Sequence, residues 1–549
     1  MPPVYRRQPG GACREGLRAR SRFGAVGCNL ADLLESVAGA VGAREAVVCP
    51  ASGQDPEVRL TYRQLDARAD RLAHVLAGLG VGRDDAVGVV LRNGNEYLEA
   101  TIACFKLRAV PVNVNHRAVA SEVAAVLADC GAVAVLHEPD LAPLVAASGH
   151  AAATLARGEA WEAALAAASD EPVRAARSGD DRYVLYTGGT TGRPKGVVWR
   201  HEDLFFAALG GGDPGGVTVM EPARVAAAAR SGRNRCLPAS PFMHGTGQWI
   251  ALSTLLRGGT VIALRDAGFD AARLLDVAAA EGVTFLVVVG DAFGRPIVDA
   301  LATRGSLDDL SVLNVILSGG ATLSPATTGD LLRLLPWAMV VDGFGTSETG
   351  GQGQRVTYPG AVVTGGQARF AMGPDTAVLD DDDLRPLRAG DERIGWLARR
   401  GRIPIGYLND PEGTAGTFPV VAGVRWAVPG DRAGVDLDGA IVVHGRGAST
   451  ITTGGEKVHV EEVESVVRSH PDVLDAVVVG VADPRWGEVV TAVVSLRPGR
   501  SLTVDGLVAH CRTALAGYKL PRRLVVVAEV ERTASGKPDL GWAKQAAGA

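Results

Sequence analysis

Cysteine, lysine and long apolar runs are all in short supply in this chain, and each shortage closes off a class of function. The seven cysteines (Cys13, Cys28, Cys49, Cys104, Cys130, Cys236 and Cys511) are odd in number, scattered and never spaced as Cys-x-x-Cys. That pattern argues against a disulfide framework or a zinc site and suits a reducing, cytoplasmic setting. No apolar run approaches the roughly 20 residues that a bilayer-crossing helix needs, so no integral membrane segment is expected. Neither sign of charge prevails. Against 56 basic residues stand 61 acidic ones, a net charge of −5 that gives no basis for nucleic-acid binding. Lysine is confined to Lys106, Lys195, Lys457, Lys519, Lys537 and Lys544, a bias that fits a GC-rich genome rather than a function. His201-Glu202 is followed by no second histidine at metalloprotease spacing.

What is present is ample for large cores. The chain has 549 residues, 47% of them apolar, which points to two or more domains. Residues 1–28 carry Arg6, Arg7, Arg14, Arg18, Arg20 and Arg22 against one acid, Glu15, and lack the apolar core of a secretory signal. They read as a basic, disordered arm. From Leu30 the pattern becomes globular. Thr61 is placed to cap a helix running to about Leu79, Ala86 to Leu91 reads as a strand, Tyr97 to Leu107 as a helix and Val110 to Val114 as the next strand. Alternation at this spacing predicts parallel, helix-covered sheets. The run Asp380 to Asp383 reads as a solvated acidic cluster in a hairpin.

The densest signal is Tyr186-Thr187-Gly188-Gly189-Thr190-Thr191-Gly192-Arg193-Pro194-Lys195-Gly196, which follows an apolar strand-like run. Glycines at this density let backbone amides approach phosphate oxygens, the threonines add hydroxyl donors, and Lys195 adds a point charge. The nucleoside-triphosphatase loop is excluded, because that pattern needs Gly-Lys followed by Ser or Thr. Three further stretches carry chemistry. Gly343-Phe344-Gly345-Thr346-Ser347-Glu348-Thr349-Gly350 sets an aromatic ring and a carboxylate among glycines. Pro429-Gly430-Asp431 and Gly445 to Glu464 follow it, and Arg532-Thr533-Ala534-Ser535-Gly536-Lys537 ends the series. Ser318-Gly319-Gly320-Ala321, after a β-branched run, offers a flat backbone against which a ring can lie.

These four motifs, in this order and over about residues 30–540, closely resemble those of the adenylate-forming superfamily of acyl-CoA synthetases, luciferases and peptide-synthetase adenylation domains. Within it the look is that of bacterial fatty-acyl or steroid-side-chain CoA ligases. The resemblance implies an α/β protein with a large multi-sheet N-terminal domain (29–445), a hinge (446–449) and a small, mobile α+β lid (450–549). It implies ATP binding by Thr187, Gly188, Gly189, Thr190, Thr191, Gly192 and Lys195, with Gly319, Gly320 and Ala321 beside the adenine. Gly343, Phe344 and Gly345 imply an adenine stack, Ser347 faces the phosphates, Asp431 takes the ribose hydroxyls and Arg446 the ribose and phosphate. Magnesium falls to Glu348 with Thr187, and catalysis to Lys537, Glu348 and His244. Coenzyme A is expected past Gly454, Gly455 and Lys457. Several positions depart from the pattern: Gly188 stands for the usual serine, Pro429 for threonine, and Ala448 and Ser449 for the usual Asp or Lys hinge residue.

The implied reaction has two steps: a carboxylate attacks the α-phosphate of Mg-ATP, then the acyl-adenylate passes to coenzyme A as the lid turns. Lipid-like, steroid-like or aromatic acids are favoured. Trp249 reads equally as an acyl-pocket wall or as core, and segments 205–216, 244–256 and 291–298 as pocket walls. Three alternatives stay open: adenylation without coenzyme A, of a carboxylate or another oxyanion such as nitrite for an amine acceptor; loading of a carrier protein; and a non-catalytic nucleotide sensor.

Overall fold

The computed structural model describes residues 28–187, 194–211, 222–321, 323–361, 363, 368–373, 375–446, 450–453, 456–483, 486–515, 517–532 and 538–548. The helix-covered parallel sheets expected from the alternating pattern are present. One sheet carries six mutually parallel strands in the order Glu45–Cys49, Thr260–Ile262, Arg235–Pro238, Phe285–Val288, Val315–Gly319 and Met339–Thr346. Antiparallel strands extend it beyond Met339–Thr346, ending with Asp431–Val435, Ile441–Arg446 and their neighbours. A second sheet sets Arg182–Thr187, Val110–Asn113, Ala86–Val90, Ala132–His137 and Ala153–Ala156 parallel, with Lys195–Arg200 folding back antiparallel on Arg182–Thr187. The third sheet holds only strands from Thr450 onward.

Local chemistry accounts for the elements. Helix Tyr62–Gly78 starts where Thr61 and Gln64 form a reciprocal capping box. The fully buried strand Ala86–Val90 is an unbroken apolar run, as a sheet covered on both faces requires. The main core joins the two large sheets through helices Leu30–Val41, Tyr62–Gly78, Asn95–Leu107 and Gly245–Leu256. Gly445 adopts a left-handed φ of 89°, and a Cβ there would run into the carboxylate of Glu461 on helix Val460–Arg468, so only glycine suits that close approach. Among the described residues no helix is long and apolar enough to cross a membrane.

Three of the four carboxylates in the acidic run at 380–383 (Asp381, Asp382 and Asp383) are exposed, as the solvated reading expects, and Asp380 alone departs from it. The run sits in a hairpin, between the antiparallel strands Thr376–Leu379 and Gly395–Arg400. Asp380, however, is 8% exposed, accepts the Asp382 N–H at 2.9 Å and pairs with Arg393, while Asp381 pairs with Arg432. Turn closure and ion pairing hold the Asp380 carboxylate, while the other three stay in contact with water.

His201 makes stability acid-sensitive. The ring is fully buried against Phe105, and Asn29 Nδ2–H and the Leu30 N–H both point at its Nδ1, which must therefore be unprotonated. Burial pushes its pKa down to about 4 from the ordinary 6.5. Between those values the unfolded chain takes up a proton that the folded chain refuses, so stability is present above pH 6.5 and declines as pH falls toward 4. The full window corresponds to about 3 kcal/mol. Chemical denaturation midpoints measured from pH 7 to 4.5 should fall steeply, and His201→Asn should flatten that slope.

Candidate active site

Hydrogen bonds from Asn113 to Tyr186 and Met243 bring carboxyl ends of parallel strands from both large sheets to one edge. Thr187, Asn113, Pro238, Val288, Gly319 and Thr346 are strand-end residues around it. Open parallel sheets bind ligands at this edge because loops there leave the sheet together and helix N-termini face outward. Residues 188–193, with Gly188, Gly189, Thr190, Thr191 and Gly192, lie outside the described set, as do Gly454, Gly455, Lys537 and the hinge positions Ala448 and Ser449. Their flanks are described. Thr187 and Lys195 face each other across the antiparallel pair at the base of the loop.

Lys195 is not left pointing into the cleft alone. Its Nζ lies 2.9 Å from Asp410 Oδ2 and 4.8 Å from the centroid of the Tyr407 ring. The Tyr407 hydroxyl donates to Glu348 Oε1 at 2.9 Å. Glu348, 9% exposed, is thus linked to the phosphate-loop lysine through one aromatic side chain. Asp410 caps helix Pro411–Thr417, and the Gly413 N–H together with Lys195 holds its carboxyl below the usual carboxylate range.

The turn that presents Glu348 is fixed from behind. Trp199 Nε1–H donates to the Ser347 carbonyl at 3.0 Å, and Arg399 Nη1 donates to the carbonyls of Thr349 at 2.7 Å and Gly351 at 2.6 Å. Thr349 Oγ1 accepts from the Thr346 N–H at 3.1 Å and donates to Gln352 at 2.9 Å. At Gly345 a Cβ would collide with the Gly350 carbonyl, which explains the glycine. Phe344 is half-buried and lies 5.6 Å from Phe370. Gly319 and Gly343 are cross-strand partners, and Gly320 has φ 88° beside Thr246. Gly319 is buried, Gly320 is exposed and Ala321 is half-buried. Asp431, 6% exposed, is paired in register with Arg446 at the end of the ladder Asp431–Val435 with Ile441–Arg446.

His244 immediately precedes helix Gly245–Leu256, at the end of the loop 239–244. Two asparagines that sequence reading passed over hold this loop. Asn113 Nδ2 donates to the carbonyls of Met243 at 2.6 Å and Tyr186 at 2.9 Å, and its Oδ1 accepts the Tyr186 N–H at 2.7 Å. Asn93 accepts the Phe242 N–H at 2.7 Å and donates to the Ser240 carbonyl at 3.2 Å. One side chain therefore ties the phosphate-loop strand to the histidine loop. His116 joins the same rim; burial, then Arg117, Arg92 and His244, push its pKa down to about 4, so it is neutral at physiological pH. Asn113→Ala leaves two carbonyls and an amide unpartnered. A loss of stability of about 2 kcal/mol is expected, with a several-fold rise in the KM for ATP, read by thermal melts and steady-state kinetics.

The pocket-wall expectations divide. Trp249 is 9% exposed in the main core, edge-on to Trp199 at 6.3 Å, with Nε1–H donating to the Tyr183 hydroxyl at 3.1 Å. It backs Gly245 rather than standing open. In segment 291–298, Phe293 packs on Phe269 at 4.6 Å, Arg295 pairs with Asp330 at 2.7 Å, and Asp291 accepts the Ser324 N–H at 2.9 Å.

Among the described residues no group of three or more His, Cys, Asp or Glu is arranged to hold a metal. A single buried carboxylate, Glu348, suits magnesium that arrives with nucleotide phosphates and keeps part of its water, since Mg²⁺ is commonly held by one or two carboxylates plus substrate phosphate. Lys195 and Glu348, joined through Tyr407, supply a cation and a carboxylate of the kind that a metal–polyphosphate requires.

Comparison with known proteins agrees. The AMP-binding enzyme family matches residues 34–406, and the AMP-binding enzyme C-terminal domain matches residues 462–537. The chain is 40% identical over 547 residues to medium-chain acyl-CoA ligase Mig of Mycobacterium avium, covering 93% of this chain and 97% of that one. It is likewise 40% identical over 545 residues to 3-oxocholest-4-en-26-oate–CoA ligase of Rhodococcus rhodochrous, covering 95% and 96%. Its fold is similar to that of ATP-bound MatB from Rhodopseudomonas palustris, with a TM-score of 0.78, 24% identity and coverage of 94% and 98%.

Proposed function

The chain belongs to the AMP-binding enzymes, and from that membership we propose that it is an ATP-dependent, AMP-forming acid–CoA ligase. The acid is a medium- to long-chain or steroid-side-chain carboxylic acid. The observation that carries this reading is 40% identity, over nearly the whole chain, to two ligases whose named acids are of these kinds. No carrier segment is needed for the reaction, and the retained Glu348 and Lys537 speak for catalysis rather than sensing.

In the first step the acid's carboxylate attacks the α-phosphate and pyrophosphate leaves. Lys195 and the phosphate-loop amides bind the β- and γ-phosphates, Asp431 accepts from the ribose hydroxyls, and Gly319, Gly320 and Phe344 flank the adenine. Magnesium, when bound, spreads the negative charge of the phosphates, with Glu348 and Thr187 as its protein partners. Lys537 approaches the α-phosphate oxygens as charge builds there. In the second step the lid, residues 450–549 about a hinge at 446–449, turns to withdraw Lys537, and the thiol reaches the acyl carbonyl past Gly454, Gly455 and His244. A cytoplasmic location fits this chemistry, and none of the six described cysteines, five of them buried, forms a disulfide.

A panel of fatty, steroid and aromatic acids, scored for pyrophosphate release with and without coenzyme A, tests the reading. Release that depends on a lipid or steroid acid, with AMP and acyl-CoA formed only when coenzyme A is added, is expected. Full turnover without coenzyme A would transfer the function to amine-acceptor chemistry.

A further inference from the structure

Tyr407 is absent from every role assigned above, yet it touches both charged ends of the phosphate site. Its hydroxyl donates to Glu348 Oε1 at 2.9 Å, and its ring lies 4.8 Å beneath Lys195 Nζ. A carboxylate can only accept, so the phenol hydrogen fixes one oxygen of Glu348 and leaves the other to bind. An aromatic face attracts an ammonium without neutralising it, unlike the carboxylate of Asp410. The residue is itself firmly held. Residues Gly406 and Tyr407 pair with Val198 and Val197 on the same strand that begins at Lys195. The Tyr407 N–H donates to Thr414 Oγ1 at 2.9 Å, and the ring meets Phe418 edge-on at 5.7 Å. Gly413 keeps the space beside Lys195 open, since a Cβ there would stand 2.7 Å from Nζ.

We propose that Tyr407 is a positioning residue for nucleotide activation: its hydroxyl orients Glu348 toward the magnesium that accompanies ATP, and its ring holds Lys195 in place while the lysine exchanges Asp410 for a phosphate. The inference rests on the reading of the cleft as the ATP site of an adenylate-forming enzyme. The ring and the hydroxyl act on different partners, so they can be separated by mutation.

The test uses the full-length protein with a non-hydrolysable ATP analogue and Mn²⁺ as the probe, followed by electron paramagnetic resonance, so that no turnover is required. Tyr407→Phe removes only the hydroxyl and should weaken Mn²⁺ binding in the ternary complex about tenfold, with nucleotide affinity nearly unchanged. Tyr407→Leu removes the ring as well and should also weaken the analogue several-fold. In a Glu348→Gln background the Phe substitution should add little, because its target charge is gone. Mn²⁺ affinity in Tyr407→Phe equal to that of the native protein overturns the proposal, whatever happens to the melting temperature. If the native protein binds the Mn²⁺–analogue complex but releases no pyrophosphate with any acid, the ligase reading falls while the Mn²⁺ titration still decides the role of Tyr407.

Discussion

Glu348→Gln should lower acid-dependent pyrophosphate release by roughly 10²–10³-fold while leaving the protein folded. Glutamine has nearly the same shape, and its amide oxygen can still accept the hydrogen bond that Tyr407 gives to Glu348 at 2.9 Å. Trp199 and Arg399 hold the turn through the backbone carbonyls of residues 347, 349 and 351, which the substitution does not touch. What is lost is one negative charge on a side chain that is only 9% exposed. The measurement is isotope exchange between pyrophosphate and ATP at several magnesium concentrations, alongside a thermal melt. The drop should be largest at low magnesium and shrink as magnesium is raised. Undiminished exchange at every concentration would remove Glu348 from the phosphate site.

Lys537→Ala should cost about 10³-fold in the same exchange but leave the second half-reaction, from supplied acyl-adenylate to acyl-CoA, close to native. The asymmetry follows from the proposed rotation: the lysine serves only the conformation in which phosphorus changes partners. Its segment is anchored on both sides. Arg532 makes a bidentate pair with Asp475, at 2.6 and 2.9 Å, and Arg532 and Pro538 form an isolated antiparallel bridge. Arg532 thereby ties the start of this stretch to strand Val473–Asp483 of the small sheet. Equal losses in both half-reactions would contradict a lysine that visits the site for one step alone.

Of the fold, the parts governed by short-range pattern were legible in advance. Thr61 announced a helix, β-branched runs announced buried strands, and their alternation announced parallel sheets. Candidate site residues were legible where glycine clusters interrupt such a pattern, as at Gly319-Gly320, whereas Glu348 was picked out only by its spacing from Phe344 and Gly345 in the family resemblance. The site was not legible at Asn113, Asn93, Tyr407 or Arg399, because an ordinary polar residue shows no periodicity that marks its partner. Asn113 and Met243 are joined only because two sheets bring their strand ends to one edge. Asp380, the one buried member of the acidic run, was not legible for the same reason: Arg393, which pairs with it, comes from another turn of the chain.

The sequence by itself determined the chemistry available to this protein, since the order of its glycine loops, its acidic and basic site residues and its lack of metal-binding cysteine pairs are properties of the chain. Only the tertiary structure decided which groups act together. Lys195, Tyr407 and Glu348 lie far apart along the chain and become one site because hairpin pairing and the meeting of strand ends set them within hydrogen-bond and cation–π distance. Electrostatic and hydrogen-bond energies fall off over a few ångströms, a separation that position in the chain does not encode.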